Sequence, residues 1–170
     1  NRAYFLVASI LCNYDFGHHG AYLFPEFPLS NNFVVDFLVI GKNSGGHEFI
    51  FVELESVFGS VTKQDGTIGE SIRRGLKQVE EWEFWLEKNF RNLSSTLEKY
   101  RNKNENLPTE YFEFDQSRIH FAVVSGRREN YSEPTYRKRR KLLKESGIRL
   151  MHYDNLIDYA KTVCKTKNWV

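Results

Sequence analysis

The chain has 170 residues, 41% hydrophobic, 27% charged and 15% aromatic, with a formal net charge of +2. That length suits one domain, at roughly 100–200 residues per domain. A content of 14 Phe, 9 Tyr and 3 Trp excludes a disordered chain, because so much apolar area does not stay solvated, and no stretch reaches the ~18 uninterrupted apolar residues of a membrane helix.

A single domain over residues 1–170 is therefore expected, with residues 1–24 as a helical and extended lead-in. The chain opens Asn1-Arg2-Ala3, without Met, and reads as a piece of a longer protein. Residues 1–16 are mostly apolar (Tyr4, Phe5, Leu6, Val7, Ile10, Leu11) and suit a short packed helix, and Gly17 to Gly20 suit a turn. Phe24-Pro25-Glu26-Phe27-Pro28-Leu29 is extended, since each proline biases its predecessor away from helix. Residues 33–40 (FVVDFLVI) and 47–55 (HEFIFVELE) read as strands joined by a hairpin loop. Both are apolar on both faces, as in strands covered on each side.

A long helix is expected over 67–90, where Ile68, Ile72, Leu76, Val79, Leu86 and Phe90 recur at helical spacing. Trp82 and Trp85 belong to its packed side. Residues 118–125 read as a buried strand and 134–146 as a basic helix stopped by Gly147. Residues 148–153 read as a further strand, and Asp154 as the cap of a last helix. This β-α-β-α half implies parallel pairing through right-handed crossovers. The fold class is α/β: a mixed central sheet, hairpin plus β-α-β, flanked by helices.

Asp36 interrupts an apolar strand, and Glu53 and Glu55 end the next one. A buried carboxylate needs a cation, donors or a raised pKa. The hairpin sets the two strands side by side, and Glu53 and Glu55 point to one side of theirs. Converging acids of this kind suit a divalent cation, and Mg2+ needs only one or two carboxylates plus waters and phosphate oxygens. Pairing of Asp36 with an arginine and exposure of Glu55 is the structural alternative.

Asp36, the hairpin, Glu53-Leu54-Glu55 and a helix carrying Gln78 resemble the PD-(D/E)XK nuclease superfamily. More closely, FVVDFLVI, FIFVELES, LKQVEEWEFW, FAVVSGRR and GIRLMHYDNLIDYA resemble, in that order, the nuclease domain of Shedu-type anti-phage proteins. The resemblance implies a restriction-endonuclease-like fold and a DNA endonuclease using Mg2+ or Mn2+, with Asp36 and Glu53 as ligands. It also implies phage defence in a bacterial cytoplasm, a homo-oligomer, and sensor domains elsewhere in the full-length protein. Position 55 would carry the superfamily's lysine, and here it is Glu55. Three readings follow: Glu55 is an extra ligand or base, a lysine such as Lys63 reaches in, or the domain is a catalytically silent nucleic-acid-binding or assembly module. The resemblance places Gln78 at the centre, while the residue alone reads equally as a surface amide. Glu26 reads as a solvated loop residue, with a place beside Asp36 as the alternative.

Eight of the 24 basic residues lie between Arg127 and Lys144. Arg127 and Arg128 follow a strand, where loops at a sheet's carboxyl ends bind ligands. Arg137, Arg139 and Arg140 lie on the basic helix. All five are candidates for phosphate contact, with a plain solvated face as the alternative. His18-His19 suits a polar turn. Cys12 and Cys164 stand apart without CxxC spacing, which fits a reducing, cytoplasmic setting and no zinc site.

Overall fold

The computed structural model describes residues 2–63, 65–104 and 106–165. Five strands form one sheet in the order β1-β2-β3-β4-β5: Gly20–Pro28, Val34–Asn43, Gly46–Leu54, Ile119–Val124 and Arg149–Met151. The first three are antiparallel, and β3-β4 and β4-β5 are parallel. Four α-helices surround the sheet: α1 (Arg2–Ala8), α2 (Glu70–Leu97), α3 (Glu133–Ser146) and α4 (Tyr153–Lys165). The mixed α/β sheet expected from the sequence is present.

The lead-in differs from expectation. Its end is not a plain extended segment but the start of β1, which carries Pro25 and Pro28. Proline lacks a ladder donor and is tolerated because β1 is an edge strand. Strand β3 sits centrally, with Phe49, Ile50, Phe51 and Val52 all buried. Alternation sends Phe49 and Phe51 towards α2 and α3, and Ile50 and Val52 towards α1 and α4.

Helix α2 starts with Glu70, a carboxylate suited to the positive end of the helix dipole. Its stripe of Ile72, Leu76, Val79, Trp82, Leu86, Phe90, Leu93 and Leu97 is buried on one face of the sheet. That stripe also fixes where the remaining faces of α2 point. Helix α3 begins with a proline in its first turn and ends at Gly147, whose φ of +68° gives the left-handed cap. Asp154 does not cap α4: it lies inside the first turn and accepts from Arg127 and Arg128 instead.

No helix among the described residues is long and apolar enough to cross a membrane. Cys12 and Cys164 are exposed free thiols.

Candidate active site

The β2-β3 register runs from Asn43↔Gly46 to Phe37↔Val52, and one further step sets Asp36 across from Glu53. The strands separate there. The amide of Leu54 donates not to a β2 carbonyl but to Asp36 Oδ2, at 2.7 Å. The Asp36 carboxylate thus takes the place of the next ladder bond and is fixed beside Glu53. On the other side, β1 pairs Pro25 with Phe37 and Phe27 with Val35, so Glu26 faces Asp36. Glu26 has a φ of +47°, a left-handed conformation that a non-glycine residue adopts at a cost. This kink reverses the strand's alternation, so Phe27 joins Phe24 on the α2 side, with their rings 5.8 Å apart.

Glu53 is 8% exposed and Glu55 2%. Burial, with Asp36 and Glu55 close by, pushes the Glu53 carboxyl up to about 8, and Arg74 offsets part of this. Burial raises Asp36 as well; the Leu54 amide opposes the shift, and Glu55 and Glu26 add to it. Glu26, Asp36, Glu53 and Glu55 therefore form one electrostatic group at the end of β2 and β3. Glu26 is exposed and belongs to that group, rather than to an unrelated loop.

Glu55 has a different status. Both its carboxylate oxygens accept from Arg74: Nε donates to Oε1 at 2.9 Å, and a terminal guanidinium nitrogen donates to Oε2. This fork-to-fork geometry is the strong form of the pair. The Tyr153 hydroxyl donates to the Glu55 backbone carbonyl at 2.7 Å. Its phenol is pushed up to about 12 by burial and by the three acids Asp36, Glu55 and Glu53. Helix α2 comes close enough for these contacts because residue 75 is glycine. A Cβ there would stand 2.6 Å from Val123 Cγ1 and 3.1 Å from Glu55 Cγ.

Gln78 is half-buried and lies one helical turn after Arg74, on the same face of α2. Lys63 is not brought to the acids. It is exposed, its backbone closes a turn with Gly66 and Thr67, and its charge acts on Asp65. The sequence pattern does not single out Arg74 or Tyr153. Only the position of Arg74 four residues before Gln78 could have pointed to it. Among the described residues, no group of three or more His, Cys, Asp or Glu could hold a metal ion.

The family model described as Shedu protein SduA, C-terminal, matches residues 4–157. The chain belongs to that family. No curated protein matches it.

In this Shedu C-terminal domain the loop after β4 lies at the same end of the sheet as the acids: the Gly126 amide donates to the Ser56 carbonyl. Three of the five candidate phosphate-binding arginines carry ion pairs there and on α3. Arg127 grips Asp154 through two nitrogens, at 2.9 and 2.6 Å. Arg128 pairs with Asp158, and Arg140 pairs with Glu133 at 2.7 Å. Arg139 reaches Asn155 Oδ1 at 3.4 Å, and Arg137 is exposed. The rings of His18 and His19 meet each other at 4.4 Å.

Proposed function

We propose that this Shedu domain is a divalent-metal-dependent DNA endonuclease acting in anti-phage defence. The supporting observation is the proximity of Asp36 and Glu53: a half-buried and a buried carboxylate close together, both pushed up, with the nearby arginine committed to a third acid. Membership of the Shedu family points to defence as the setting.

The donor set fits Mg2+ or Mn2+. Hard oxygen donors suit these ions, and two carboxylates are enough when waters and phosphate oxygens complete the shell. Asp36 and Glu53 would hold the ion; Glu55 has no free carboxylate oxygen while Arg74 holds it. A bound divalent ion supplies an activated water and neutralises charge developing on the phosphoryl oxygens. The protein's part is positioning. The Leu54 amide fixes Asp36. Glu55 orients the guanidinium of Arg74, whose exposed side presents cationic N–H donors to a phosphate. Gln78 offers an amide one turn further along the same face. The strand-end carbonyl of Glu55 is fixed by Tyr153.

A competing reading keeps the fold and drops the chemistry. Glu55 fills the position where the superfamily carries lysine and neutralises the nearest cation, which favours a silent nucleic-acid-binding or assembly module. Plasmid nicking with Mg2+ separates the two. Wild type should nick, and Asp36→Asn and Glu53→Gln should not. Nicking that survives both substitutions, or is absent from wild type in every divalent ion tried, rejects the endonuclease. A cytoplasmic setting, a homo-oligomeric full-length protein and sensor domains outside this chain complete the proposal.

A further inference from the structure

At the far end of β1 and β2 from the acids, the end of α2 and the turn after it cover a cavity of about 210 Å3. Four aromatic rings shape it. Tyr22 and Tyr100 are 53% and 61% exposed, which is unusual for side chains this large. Phe24 meets Tyr100 edge-on at 5.3 Å. Tyr111 forms the buried back wall, packed against His47 at 5.1 Å. Lys42 and Arg101 also line the cavity, and no carboxylate does so among the described residues. Lys42 has no carboxylate partner among those residues, whereas Arg101 already pairs with Glu98.

Open aromatic faces beside cationic side chains suit a planar, electron-rich ring carrying a phosphate. That is the chemistry of a nucleotide, and aromatic platforms of this kind bind bases with little regard to sequence. The volume is below the roughly 300–1,000 Å3 of a site for drug-sized molecules, so it fits one base. Position selects a base within a strand over a free nucleotide. Tyr22, on β1, lies about 13 Å along that strand from Glu26, and His47 lies about 20 Å along β3 from Glu53, at ~3.3 Å per residue. Stacked DNA rises roughly 3.4 Å per nucleotide and an unstacked strand covers more, so the cavity stands at most about four to six nucleotides from the acids.

We infer that this cavity receives an unpaired base of the nucleic-acid strand whose backbone passes the acidic centre, stacked between Tyr22 and Tyr100 with its phosphate near Lys42. This deepens the nuclease reading and rests on it for the strand's path. Every base has a stackable face, so the site would favour frayed or single-stranded DNA over intact duplex, from which a base must first be unstacked.

The test is fluorescence anisotropy in EDTA, with a labelled single-stranded oligodeoxynucleotide and the same oligonucleotide made abasic throughout. The Tyr22→Ala/Tyr100→Ala variant should bind the normal oligonucleotide roughly tenfold more weakly than wild type, and the abasic one equally. The Tyr22→Phe/Tyr100→Phe variant keeps the rings and should restore binding. Equal binding by wild type and the alanine variant overturns the inference. So does adenosine monophosphate binding as tightly as the oligonucleotide, which would make the cavity a free-nucleotide site. Cleavage in Mg2+ is read separately. Base-dependent binding without cleavage rejects the nuclease and keeps the cavity; cleavage with unaltered binding in the alanine variant does the reverse.

Discussion

Arg74 of α2 holds both carboxylate oxygens of Glu55, a residue that is almost wholly buried at the end of β3. The two differ in exposure: the Arg74 side chain is 63% exposed and that of Glu55 is 2%. Removing the arginine leaves a buried carboxylate without its cation, which is the costly way to break such a pair. Arg74→Ala should therefore lower the urea midpoint. The Glu55→Gln/Arg74→Ala double variant should recover part of the loss, because a neutral amide is cheaper to bury than an unpaired charge. Urea titrations of wild type, Arg74→Ala, Glu55→Gln and the double variant form a double-mutant cycle, and strictly additive losses would show that the pair is not coupled.

The same pair bears on activity. If Glu55 serves to aim Arg74 at a phosphate, Arg74→Lys should keep a cation yet lose the fork geometry. Nicking by Arg74→Lys should fall at least about tenfold, a loss of roughly 1.4 kcal/mol of transition-state stabilisation. A lysine variant as active as wild type would show that only charge is required at this position.

How much of this was legible depended on what each residue violates. Asp36 and Glu53 stand out because acids inside apolar strands contradict their surroundings, and a hairpin places its two strands together. Arg74 violates nothing: an arginine on the exposed side of an amphipathic helix is ordinary, and only the close approach allowed at Gly75 brings it to Glu55. Tyr153 was read as the end of a strand, and its hydroxyl reaches Glu55 through a contact between residues 98 apart in the chain. The prolines of β1 mark an extended segment and not its partner, and only the edge position, which needs no donor from them, makes it a strand. The basic run is legible as charge, but its neutralisation by Asp154 and Asp158 is not, because those acids lie on α4, far along the chain.

Two buried groups set opposite pH dependences. The raised Glu53 carboxyl, at about 8 against 4.5, binds its proton more readily in the folded state. Its contribution to stability is complete below about pH 4.5 and is lost as pH rises through about 8. His152 is pushed down to about 4 by burial and by Arg139 and Arg128. Its unfolded form takes up the proton first, so its contribution rises between about pH 4 and 6.5. The two oppose each other up to about pH 6.5, and Glu53 acts alone above it. In EDTA, stability should fall between pH 6.5 and 8. Glu53→Gln should flatten that slope, as should Mn2+ if it binds the ionised pair. Chemical denaturation at four pH values reads this directly, and a slope unchanged in Glu53→Gln would place its origin elsewhere.

Gly75 is the point where α2 passes closest to the acids. Alanine would ordinarily favour a helix by about 1 kcal/mol over glycine. Here its Cβ would overlap Val123 Cγ1 and crowd Glu55 Cγ. Overpacking of this kind costs about 1–3 kcal/mol, so Gly75→Ala should be destabilising on balance. It should also move Arg74 and Gln78 away from the strand ends and reduce nicking. A thermal melt with a higher midpoint than wild type would mean that Val123 yields without strain.

The five basic side chains proposed for phosphate contact divide by their partners. Arg127 is tied to Asp154, whose carboxylate also accepts from the Arg128 amide at 2.8 Å. Arg127 and that amide hold the Asp154 carboxyl well below its ordinary range. This contact joins the loop after β4 to the first turn of α4, close to Tyr153 and the acids. Arg127→Ala should therefore lower the melting temperature and change the salt dependence of DNA binding little. Arg137 has no carboxylate partner among the described residues and is exposed. Arg137→Ala should leave the melt unchanged and reduce the slope of log K against log salt by about 1, as expected for one lost phosphate contact. Melting curves and anisotropy titrations at several salt concentrations measure both quantities on the same samples. If the slope falls for Arg127→Ala and not for Arg137→Ala, DNA displaces Asp154 from its arginine and runs over the β4 loop instead of α3.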